Sequence, residues 1–154
     1  RPGAPNLIDR IEAGLLSFGN DMTSENSPLE CGFEKYCALS SDIDFIGKAK
    51  LKSEKNIGPK LKLCGIAFGG EAQSACTIPW PIYFNNLKIG EITSGIYNPS
   101  LKVNTGIALV MTENLDKFST VKVKALNSKI TEGVICSLPF TISKNYELIN
   151  QIRY

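Results

Sequence analysis

The chain has 154 residues, 43% of them hydrophobic and 21% charged, which excludes disordered and collagen-like classes and allows one domain, or one plus a piece of another. Seventeen Lys and Arg against fifteen Asp and Glu leave a net charge of +2, too weak a basic bias to point to nucleic acid. Histidine is absent, so no Ser-His-Asp triad, Cys-His pair or histidine metal site exists within these residues.

The sequence opens on Arg1-Pro2-Gly3-Ala4-Pro5, without an initiator Met, and reads as a chain entered partway through a longer one. Ile8, Ile11, Leu15 and Phe18 then recur at helical spacing with Asn6 placed to cap. Ile11 and Ala13 also alternate with polar neighbours, so a short strand competes. Residues 20–30 read as an irregular loop. Asp42 or Asp44 is placed to cap a second helix through Phe45, Ile46, Ala49 and Leu51, which ends near Asn56 and is stopped by Gly58-Pro59.

From Lys60 the period changes to two, and an apolar run to Phe68 predicts a strand. Gly69–Thr77 is a loop, and Trp80, between two prolines, reads as a loop anchor over the core. Further strands are predicted over Pro81–Phe84, Leu87–Ser94, Asn104–Val110, Thr120–Leu126 and Glu132–Leu138, with Asn85-Asn86 as a tight hairpin turn. Short strands at this spacing suggest a small Greek-key barrel or sandwich. The apolar residues of the tail from Asn145 to Tyr154 are expected to pack back on the rest. The fold class is therefore α+β, mainly β: a short mixed segment, then a barrel.

Charge is uneven. Acids dominate residues 9–44 and lysines dominate 45–62, which reads as two solvated faces. Cys31, Cys37, Cys64, Cys76 and Cys136 lack Cys-x-x-Cys spacing and sit among apolar residues. They read as reduced, small hydrophobes, and so imply a reducing compartment. No apolar run approaches the roughly 18 residues of a membrane span.

Three polar constellations stand out. Arg10-Ile11-Glu12-Ala13-Gly14 with Gly19-Asn20-Asp21 offers an arginine able to clamp a carboxylate through two parallel hydrogen bonds; the plainer alternative is a surface salt bridge with Asp9 or Glu12. Thr93-Ser94-Gly95 with Pro99-Ser100-Leu101 suits either a ligand-facing loop or ordinary turn chemistry. Pro139-Phe140 with Asn145-Tyr146 offers a tail tyrosine for stacking and hydrogen bonding, or a docked tail. No metal cluster and no phosphate-binding loop is present.

These same residues resemble the folate-dependent one-carbon transferases, the family of the glycine cleavage T-protein (aminomethyltransferase) and dimethylsulfoniopropionate demethylase. The resemblance rests on Arg10–Asp21, Asn26–Phe33, Asp44–Lys48, Ile89–Gly95, Asn98–Leu101 and Cys136–Phe140, in family order over nearly the whole chain. Residues 5–47 resemble the demethylase branch more closely, and Asn145-Tyr146 the T-protein ending. The resemblance implies the last part of a longer enzyme: residues 1–58 as the end of a folate-binding domain with a linking helix, 59–141 as a C-terminal barrel, and 142–154 as a tail. Tetrahydrofolate would be bound mainly by the missing N-terminal part, which would also hold the catalytic aspartate of a T-protein, so no catalytic residue is assigned here. Arg10 and Tyr146 are the substrate-site residues it implies. Phe18 departs from a tyrosine common in the family.

By the same resemblance the partners are a small-molecule substrate and folate, with a lipoyl carrier protein for a T-protein, and neither nucleic acid nor membrane. The location is cytoplasmic, or the mitochondrial matrix for a eukaryotic T-protein. The function expected is transfer of a methyl or aminomethyl group to folate, with the demethylase branch favoured and the T-protein as alternative. A non-catalytic barrel serving interaction is the alternative from another class.

Overall fold

A computed structural model describes residues 6–115, 120–126, 129–140 and 143–152. Helices α1 (Leu7–Ala13) and α2 (Lys48–Ile57) precede strands β1 (Leu61–Phe68), β2 (Trp80–Phe84), β3 (Leu87–Asn98), β4 (Val103–Met111), β5 (Thr120–Val123) and β6 (Thr131–Cys136), and α3 (Ser143–Asn150) follows. The strands close into an antiparallel barrel in the order β1-β4-β3-β2-β5-β6. Consecutive β2, β3 and β4 form a meander, and β1 lies beside β4 through the long connection to β2. That is the Greek-key arrangement the strand spacing predicts.

Two apolar clusters explain which runs are continuous and which alternate. Ile66, Phe68, Ile82, Ile89, Ile92, Val110, Val121 and Val123 fill the barrel. Ile11, Ala67, Val103, Ile107, Val134, Phe140, Ile149 and Ile152 form a second core outside it, where α1 and α3 cover the wall. Strands β1 and β4 are buried on both faces over most of their length, so their sequences lose the in–out alternation of a half-exposed strand. The tail packs back as expected, now as a helix, with Ile149 fully buried.

Local chemistry sets the ends of the elements. The Asn6 side chain accepts from the Asp9 N–H at the start of α1, the N-cap role its sequence suggests. Gly14, at φ +70°, adopts the left-handed geometry that ends the helix. Leu15 and Phe18 therefore lie beyond the helix and are exposed, although their spacing continues its period. Helix α2 begins after Gly47 with no side-chain cap, so neither Asp42 nor Asp44 caps it, and Phe45 and Ile46 precede it.

Trp80 is not a loop anchor. It opens β2, is 3% exposed, and stands edge-on to Phe68 inside the barrel with ring centroids 5.8 Å apart.

Asn85 and Asn86 take φ of 47° and 64°, the paired left-handed geometry of a two-residue hairpin turn. Asn86→Ala is expected to cost about 1 kcal/mol and Asn86→Gly to be neutral or slightly stabilising. Urea unfolding checks both, and equal effects for the two would remove the turn geometry as the cause.

The charge asymmetry resolves largely into solvated side chains, since Lys50, Lys52, Lys55, Lys60 and Lys62 are exposed. Lys48 differs: it is buried, and its Nζ donates to the Ser41 and Ile43 carbonyls at 2.6 and 2.5 Å.

Candidate functional site

The first two polar constellations meet where α1 and the loop after it cross β3. Asp21, 2% exposed, is the centre. Its Oδ2 accepts from Arg10 Nη1 at 2.6 Å and from the Ser17 backbone N–H at 2.9 Å. Its Oδ1 accepts from Thr93 Oγ1 at 2.7 Å and Ser94 Oγ at 2.5 Å. Four donors fill the roughly four acceptor positions of an ionised carboxylate. Burial raises the Asp21 pKa, but the hydrogen bonds from Ser94, Thr93, Arg10 and Ser17 outweigh it and hold the group below its ordinary value.

Ser94 links the rest. Its Oγ donates to Asp21 and accepts from Arg10 Nη2 at 2.5 Å and Asn20 Nδ2 at 2.7 Å. Asn20 Nδ2 also donates to the Thr93 carbonyl at 3.0 Å. Successive strand side chains ordinarily point to opposite faces. The β3–β4 register shifts between Ile92 and Ser94, and this bulge lets the hydroxyls of both Thr93 and Ser94 reach one carboxylate oxygen. Thr93-Ser94-Gly95 is thus mid-strand rather than at a strand end, and β3 runs on to Asn98.

Arg10 pairs with Asp21 and not with Asp9 or Glu12. Glu12 instead accepts from Asn98 Nδ2 at 2.6 Å, while Asn98 Oδ1 caps the β3–β4 turn by accepting the Leu101 N–H at 3.0 Å. The arginine side chain is 18% exposed. Nη1 also donates to the Leu15 carbonyl at 2.8 Å. Three of its five N–H groups are therefore committed among the described residues, and two are not. Tyr146 falls within α3, but its side chain lies outside the described residues. Its neighbour Asn145, 1% exposed, binds the Ser137 N–H and carbonyl at 3.0 and 2.7 Å and so seats the tail.

The five cysteines are free thiols. Burial pushes Cys64 and Cys136 up to about 12 and Cys76 to about 11, so none of these three is a ready thiolate at neutral pH. An open cavity of about 690 Å³ between the end of α2 and the β1 and β4 termini contains Glu30, but both Glu30 oxygens accept backbone N–H groups, from Leu61 and Ser27. Among the described residues no group of acidic or cysteine side chains could hold a metal ion, and no helix is long and apolar enough to cross a membrane.

Fold and cluster together define a closed Greek-key barrel with a helical lead-in, the two locked by a buried carboxylate and carrying one partly committed arginine. Residues 62–141, more than half of the chain, match the family described as the glycine cleavage T-protein C-terminal barrel domain. The chain belongs to that family. It is 43% identical over 110 residues to dimethylsulfoniopropionate demethylase of Ruegeria pomeroyi, an alignment covering 71% of this chain and 29% of that protein. It is 32% identical over 134 residues to the aminomethyltransferase of Bacillus pumilus, covering 85% and 35%. The solved aminomethyltransferase T of Bartonella henselae superposes with a TM-score of 0.65 at 22% identity, covering 87% of this chain and 37% of that one, and shares its fold. The chain thus spans about a third of the length of the curated relatives it matches.

Proposed function

We propose that the chain is the C-terminal barrel and lead-in segment of a folate-dependent one-carbon transferase. In this reading residues 1–58 complete a folate-binding domain and its linking helix, 59–141 form the barrel and 142–154 the tail. The preferred reaction is transfer of a methyl group from dimethylsulfoniopropionate to tetrahydrofolate. The observation that carries it is the 43% identity to a named demethylase across 71% of the chain.

The chemistry suits such a segment. Tetrahydrofolate, when bound, supplies the nucleophilic nitrogen that takes the one-carbon unit. The sulfonium is already a good leaving group: its S–CH3 bond breaks, the electron pair stays on sulfur as a neutral thioether, and the nitrogen gives up a proton. Little acid–base work falls to the protein, and positioning does most of it. Among the described residues, the two uncommitted N–H groups of Arg10 fit a carboxylate, which both the sulfonium substrate and folate carry. In this reading folate is held mainly by the N-terminal part that the relatives carry. The family resemblance adds Tyr146 as a second substrate-site residue. The proposed location is the cytoplasm, or the mitochondrial matrix for a eukaryotic T-protein, both of which accord with unpaired cysteines.

Transfer of an aminomethyl group from a lipoyl carrier protein is the second reading, favoured by the longer alignments to aminomethyltransferases. The chain joined to the N-terminal part its relatives carry is to be incubated with tetrahydrofolate and either donor. Methyl-folate formation from the sulfonium supports the first reading, and ammonia release the second. Neither product, or full turnover by these 154 residues alone, would overturn the proposal and favour a non-catalytic barrel or a self-sufficient one. Arg10→Ala is expected to raise the KM for an anionic substrate about tenfold.

A further inference from the structure

We propose that Asp21 is the positioning residue of this site, fixing the Arg10 guanidinium through the bulge of β3; the inference rests on the reading of Arg10 as the anion-binding group. Arginine is a long, flexible side chain, and a bidentate contact to a carboxylate needs its plane held in one orientation. Three intramolecular bonds hold it here, to Asp21, Ser94 and the Leu15 carbonyl. Rotation of the guanidinium breaks all three.

Asp21 is itself held from three places: α1 through Arg10, its own loop through the Ser17 N–H, and β3 through Thr93 and Ser94. The arginine's orientation is therefore set by the barrel wall, 73 residues along the chain from Asp21. A regular β3 would send one of the two hydroxyls away, so the bulge is part of the device.

Charge and position predict opposite signs, which makes the inference testable. As a negative charge beside the site, Asp21 repels an anionic substrate, so its neutralisation should lower KM if electrostatics alone counts. If Asp21 acts by orienting Arg10, its neutralisation should raise KM. The enzyme containing the chain and its N-terminal part is assayed well below its melting temperature, with dimethylsulfoniopropionate and tetrahydrofolate each varied in turn. Asp21→Asn is expected to raise the KM of one of them about tenfold with kcat nearly unchanged, the signature of lost uniform binding. Ser94→Ala, which removes the Nη2 acceptor at smaller cost to folding, should raise the same KM about fivefold.

Asn98→Ala is the control. It releases Glu12 at the same junction between α1 and the barrel, lowers the melting temperature and should leave KM in place. A KM that falls or stays constant in both Asp21→Asn and Ser94→Ala, while Arg10→Ala raises it, overturns the positioning role. A KM that Asn98→Ala raises equally overturns it too, in favour of general loosening. A KM unmoved by Arg10→Ala instead overturns the assignment of Arg10.

Discussion

Asp21→Asn is expected to destabilise the chain by about 3 kcal/mol at neutral pH, measured by urea unfolding. The carboxylate is acceptor-only, and four donors converge on it. An asparagine of the same shape supplies one oxygen and turns two N–H groups toward donors already in place, so at least two of the four lose their partner. Arg10 keeps its charge without its counter-ion. Removal of one partner from a fully buried pair costs about 3–5 kcal/mol, and the lower end applies because the arginine reaches solvent.

The pH dependence follows from the depressed pKa of Asp21. In the unfolded chain the group binds a proton near the ordinary aspartate value of about 3.9. In the folded chain it binds one only at lower pH. Below the unfolded value the unfolded state holds more protons, so stability is lost as pH falls through the folded pKa. Wild type should therefore lose its advantage over Asp21→Asn as pH falls below about 4. An advantage that is equal at pH 7 and pH 3 would place the cost in packing and not in the charge.

Much of the barrel was legible because each strand carries its own instruction. Lys60 to Phe68 announces a strand by period and then by a continuous apolar run, and Asn85-Asn86 announces a turn by residue type. What misled was the absence of a third dimension. Leu15 and Phe18 continue the helical period of Ile8 and Ile11, yet Gly14 has already turned the chain left-handed. Asp42 and Asp44 have the chemistry of a cap, but α2 starts at Lys48, after Gly47, where no side chain caps it. Trp80 sits between prolines, a loop signature, and the barrel nonetheless buries it as the first residue of a strand.

The site was legible in pieces only. Arg10, Asp21 and Thr93-Ser94 each stand out by chemistry. Nothing in a linear pattern joins residues that far apart, and a bulge is a fault in pairing between strands rather than a property of one strand. The Glu12–Asn98 contact was missed for the same reason. A rule that expects a buried carboxylate wherever two hydroxyls interrupt an apolar strand would have nominated Thr93 and Ser94, though not their partner.

Phe140→Ala is expected to have the largest effect outside the site, about 4 kcal/mol. The ring is 1% exposed and belongs to the outer core with Ile11, Ile107, Cys136, Ile149 and Ile152, so it touches what holds both α1 and α3 to the barrel wall. Its backbone N–H donates to the Glu12 carbonyl at 2.8 Å, which binds the same residue to the end of α1. The ring fits because β1 has no side chain beneath it: a Cβ on Gly65 would lie 2.7 Å from Phe140 Cζ and 3.0 Å from Cε2.

Gly65→Ala should therefore cost about 2 kcal/mol by overpacking in the native background. In the Phe140→Ala background the same methyl enters the space the ring has left, and its cost should fall below about 1 kcal/mol. Leu138 Cδ2, at 3.2 Å, is then the remaining close neighbour. Strictly additive losses in the double variant would show that ring and glycine do not meet as described. Coupling of the two would tie the seating of α1, and with it the arginine that α1 carries, to the flatness of β1.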